Sequence, residues 1–101
     1  MATDFASAVR SDEIWGAVAE RDADTVYFYL LDLTRADGQR IVGALNVTQA
    51  LSAHEDFDVR WSPAGSIVGF FANDLLVAVH EIDDVKGAGR FAIASDRALF
   101  A

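Results

Sequence analysis

Few side chains in this sequence are of the types that carry chemistry, and their spacing decides what they can do. The chain has two histidines, His54 and His80, and no cysteine. Thiol nucleophiles, disulfides and the commonest zinc sites are therefore absent. His80 sits in an apolar run, with Ala78 and Ile82 on its own face if the run is a strand. A histidine so placed reads as a core or interface residue with one satisfied nitrogen. Pairing it with Asp32 or Glu81 as a dyad would still need a nucleophile, and no serine lies in a recognisable elbow. Glu20, Asp22 and Asp24 alternate as oxygen ligands of a hard cation do. They lack the turn glycine and the distal glutamate of a calcium loop, so they read as a solvated hairpin end. Gly87-Ala88-Gly89 lacks the third glycine and the strand-to-helix setting of a phosphate loop. No catalytic residue, metal ligand or cofactor is expected.

Charge narrows the partners. Sixteen acidic residues against eight basic ones give a formal net charge of −8. The basic residues are scattered, and a binder of nucleic acid needs them gathered to displace counterions. Neither nucleic acid nor an anionic membrane is an expected partner. No apolar stretch approaches the ~20 residues that span a bilayer as a helix. Met1–Phe5 carries no basic leader followed by an apolar run, so a cytoplasmic protein is expected. Asn46-Val47-Thr48 matches the glycosylation pattern and is read as chance in that setting.

The elements that position these residues are mostly strands. The 101 residues fit one domain spanning 1–101, and 52% hydrophobic composition is ample for a core. Asp4 followed by Phe5, Ala6, Ala8 and Val9 suggests a short N-terminal helix. Ile14–Glu20 and Thr25–Leu33 form a hairpin across Arg21–Asp24, the second arm being rich in β-branched and aromatic residues. Asp37-Gly38 marks a turn, Gln39–Val47 a third strand, and Thr48–His54 a helical turn. Phe57–Trp61 alternates strictly. Ile67–Ala72 and Leu75–Ile82 flank Asn73-Asp74, a pair that tolerates the positive φ of a tight hairpin. Arg90–Ala94 closes the set, with a tail to Ala101. The expected fold is mainly β (α+β), an antiparallel curved sheet or small sandwich or barrel of six to seven strands with a short N-terminal helix.

Taken in order, several segments resemble those of small bacterial proteins called domain of unknown function 2251. They are Glu20–Tyr29 with its Thr-x-Tyr-Phe-Tyr run, Ile41–Val47, Val59–Gly65, Ala78–Ile82 and Gly89-Arg90-Phe91. Arg21, Ala23 and Val26 depart from the pattern. The resemblance implies no reaction, cofactor or substrate, and it supports reading Ile14–Glu20 as the strand paired with Thr25–Leu33.

The leading reading is a non-enzymatic protein-interaction or regulatory domain with an unidentified protein partner. Its competitor is a small-molecule-binding or weakly enzymatic domain, with a pocket between sheet and N-terminal segment. Tyr27, Tyr29, Trp61, His80 and Arg90 would then converge as binding groups. A homodimer is expected as well. Thr25–Leu33 is apolar on both faces, with Tyr27, Tyr29, Leu31 and Leu33 on one and Val26, Phe28 and Leu30 on the other. A monomeric single-layer sheet ordinarily keeps one face polar.

Overall fold

The structure is a computed structural model, and it describes residues 3–50, 56–84 and 89–101. Its described strands fall into two antiparallel sheets of four. Sheet 1 runs in the order β1 (Phe5–Val9), β2 (Trp15–Asp22), β3 (Thr25–Asp32), β4 (Ile41–Asn46). Sheet 2 runs β5 (Phe57–Trp61), β6 (Ile67–Ala72), β7 (Leu75–Glu81), β8 (Arg90–Phe91). Each is a meander, as short connections between successive strands require. The result is a two-layer sandwich rather than a closed barrel.

Local chemistry accounts for the hairpins. Asn73 and Asp74 take φ values of 50° and 66°, the paired positive angles of the turn that matches strand twist. Ala23, at φ 54°, opens the two-residue link between β2 and β3. The Thr25 hydroxyl donates to the Asp22 carbonyl across that link at 2.9 Å.

The N-terminal segment corrects an expectation. Phe5–Val9 is a strand, not a helix, paired with β2 from Phe5↔Glu20 to Val9↔Gly16. Five residues gain little from one isolated helical turn, whereas the ladder satisfies the backbone and sorts the side chains. Ala6 and Ala8 turn inward opposite Ala19 and Ala17, while Phe5, Ser7 and Val9 turn out. Among the described residues the strands number eight rather than six or seven, because β1 joins the sheet. Thr48–Ala50 is a 3-10 turn; the rest of the expected helical turn, to His54, lies outside the described residues, as do Gly87 and Ala88.

The alanine-lined inner face of β1–β2 leaves room for large rings from across the core. Phe28 packs against Phe70 at 5.7 Å between centroids, and Phe57 against Phe70 at 5.3 Å. Val26, Leu30, Val59, Val68 and Ala78 complete the buried centre. At one side β1 and β5 approach within 8 Å and are tied together. The Trp61 indole N–H donates to the Ala8 carbonyl at 3.0 Å, and Arg10 Nη1 donates to the Gly65 carbonyl at 3.1 Å. At the other side, β4 and β8 stand at the ends of their sheets with no ladder between them.

Candidate interaction surface

The two sheets differ in what covers their outer faces. On sheet 2, the C-terminal 3-10 segment Ala94–Phe100 lies across the outside. Phe100 meets Phe71 edge-on at 5.2 Å between centroids. Gly69 makes the seat: a Cβ there would stand 2.8 Å from the Phe100 ring and 2.7 Å from Leu76. Every residue of β6 is accordingly buried.

An ion pair fixes this cover. Arg90 donates from Nη1 and Nη2 to both carboxylate oxygens of Asp96, at 2.7 and 2.9 Å, and from Nη2 to Glu81 at 2.9 Å. The Ile93 N–H donates to the same Asp96 carboxylate at 2.8 Å. Asp96 is buried, and the Arg90 guanidinium holds its carboxyl below the usual carboxylate range against the opposing pull of burial. The two carboxylates hold the guanidinium in its charged form in turn.

Sheet 1 carries no such cover among the described residues. The register sets its outer face in rows: Phe5–Glu20–Tyr27–Asn46, then Ser7–Val18–Tyr29–Ala44, then Val9–Gly16–Leu31–Ile41. Phe5, Val9 and Ile41 are each more than half exposed, at 59%, 57% and 56%. Tyr27 and Tyr29 stand at the centre with rings nearly parallel, 15° apart and 6.0 Å between centroids. Burial, with Glu20, Tyr27 and Asp22 adding negative charge, pushes the Tyr29 phenol up, so it stays a neutral hydroxyl. Four strands at ~4.8 Å spacing and ~3.3 Å per residue present a face on the order of 400 Å². That is the size at which apolar patches carry function.

The residues expected to line a ligand pocket are placed apart. Tyr27 and Tyr29 share the outer face of sheet 1. Trp61 lies at the β1–β5 joint beneath the Arg10 guanidinium, 5.8 Å from it, and borders a cavity of about 450 Å³ with Asp12, Ser62 and Gly65. His80 is in the core, its Nε2 2.9 Å from the Phe28 carbonyl and its ring 4.6 Å from the Phe28 ring. Burial pushes the imidazole down, so it is neutral and Nε2–H is the donor. Arg90 belongs to the C-terminal latch. Glu20, Asp22 and Asp24 are exposed at the β2–β3 hairpin. Arginines pair with nearby acids throughout: Arg10 with Asp12, Arg21 with Asp4, Arg35 with Asp32, Arg40 with Asp37, and Arg60 with Asp58 and Asp74.

Sequence reasoning missed Asp96, Phe100 and the outward set Phe5, Ser7, Val9. The signal for the cover was the aromatic Phe100 in the tail to Ala101. No helix of the described residues is long and apolar enough to cross a membrane. No model of a known protein family, no curated protein and no solved structure matches the chain.

Proposed function

We propose that this chain is a non-enzymatic interaction domain that self-associates as a twofold dimer through the outer face of sheet 1. The observation that carries the reading is the unequal cover of the two outer faces. The chain's own Ala94–Phe100 packs over β6 of sheet 2, while on sheet 1 Phe5, Val9 and Ile41 stand more than half exposed around the half-buried Tyr27 and Tyr29. A second copy of the same patch covers it with closed symmetry. The patch is self-complementary in charge as well: its rows hold Glu20 at one margin and otherwise neutral residues, so apposing two copies brings few like charges together. A dispersed net charge of −8 then serves solubility, and the cytoplasm is the compartment this composition suits.

A chain without cysteine allows a direct test, since one introduced thiol is a clean reporter. Ser7 is exposed on the sheet 1 face and Ser95 is exposed on the C-terminal cover. The thiol of Ser7→Cys should lose maleimide reactivity as protein concentration rises, while that of Ser95→Cys keeps it. Equal reactivity of both at every concentration would defeat the reading.

A further inference from the structure

The edges of the two sheets are treated unequally, and among the described residues one has no strand paired to it. The outer side of β1 is shielded by β5, with Trp61, Arg10 and the Thr3–Asp56 hydrogen bond crossing the joint. β8 is two residues long. β4, six residues with no charge and no proline, carries one edge device, a bulge at Val42 where the register with β3 shifts, and its Gly43–Asn46 half pairs regularly. In an antiparallel ladder, alternate residues turn both backbone groups to the same neighbour. Val47 N–H donates to the Val26 carbonyl at 2.9 Å, so Leu45 and Gly43, in the same phase, face β3. Ala44 and Asn46 therefore face away from β3, and among the described residues no backbone group bonds to that side.

A cavity of about 410 Å³ opens at the Asn46 end of this edge, lined by Thr25, Asn46, Thr48, Gln49 and Phe91. Phe91 crosses from sheet 2 and is 53% exposed. Asp22 and Asp24 lie just beyond, at the β2–β3 turn that enters Thr25, and both are exposed. An aromatic face, amide oxygens and nearby carboxylates make a seat for a cationic side chain.

We propose that the β4 edge receives an extended segment of another protein as a fifth strand of sheet 1, with one arginine or lysine of that segment in the cavity beside Phe91. The backbone of Ala44 and Asn46 supplies the pairing bonds, and the acidic surroundings select a basic segment over an acidic one. Ala44 and Asn46 also belong to the outer-face rows of sheet 1, so peptide binding and self-association are read as separate measurements, and the failure of one leaves the other standing.

The probe is a fluorescein-labelled, acetylated heptapeptide alternating valine and threonine with a single arginine, titrated with the full chain and read by anisotropy. Its partner probe carries glutamate in place of that arginine. Saturable binding is expected for the arginine peptide, at least about tenfold weaker for the glutamate peptide. Ala44→Pro removes only an outward-facing N–H, which an edge strand tolerates. It should weaken binding about tenfold while circular dichroism of the free protein stays unchanged. Phe91→Ala, at an exposed ring, should weaken it several-fold. No saturable binding, equal affinity for the two peptides, or indifference to Ala44→Pro would overturn the proposal.

Discussion

His80 shows how burial decides the role of a reactive side chain. It sits on β7 in sheet 2, yet its Nε2–H donates to a carbonyl of β3 in sheet 1, so it ties the layers at the core. Gly89 packs on the ring edge, where a Cβ would stand 2.6 Å from Cε1. Burial lowers the folded pKa below the ordinary 6.5, and the Phe28 bond opposes this only partly. The unfolded chain therefore binds the proton first. Stability should be full above about pH 6.5 and fall as pH drops toward the lower folded value. The slope approaches ~1.4 kcal/mol per pH unit within that window. Asp96, held low by Arg90, titrates below it and adds its own loss only in stronger acid. Urea midpoints at pH 7.5 and 5.5 should show the fall in the natural chain and a smaller one in His80→Gln, which keeps a donor but does not titrate. Equal falls would mean that His80 is not the group responsible. The sequence showed the apolar run around His80 but not its partner, because Phe28 lies far away in the chain.

At the scale of elements, strictly patterned segments were legible and those settled by distant contacts were not. Phe57–Trp61 and Ile67–Ala72 match their expected bounds, and Asn73-Asp74 makes the turn its residue types favour. Phe5–Val9 was read as helix because five residues containing two alanines fit either period. Its pairing with β2 decides the matter, and that is a tertiary fact. The C-terminal cover was invisible for the same reason, since its latch joins Arg90 to Asp96 and its anchor joins Phe100 to Phe71. Two predictions follow from that latch and seat. Gly69→Ala should cost about 1–3 kcal/mol by crowding Phe100, Leu76 and Phe71. Part of this should be recovered in the double variant with Phe100→Ala, a coupling that a double-mutant cycle reads directly. Additive effects would place the Phe100 ring elsewhere. Asp96→Asn should raise hydrogen exchange across residues 94–100 while β2, β3 and β6 keep their protection. Uniform protection in the variant would show that the ion pair does not hold the cover.

For the molecule as a whole, the sandwich answers one question that the strand pattern left open. Two-sided apolar strands can be hidden by folding the sheet on itself or by a second copy. This chain hides the inner faces of both sheets and the outer side of β6 by its own means. The outer face of sheet 1 has no such cover among the described residues, and self-association through it is the central claim. Sedimentation velocity of the full chain across micromolar concentrations tests it most directly. The account predicts a concentration-dependent species of twice 10.9 kDa, returned to 10.9 kDa by Tyr29→Glu or Phe5→Glu, both at outward-facing positions. A single species of 10.9 kDa at every concentration would contradict it.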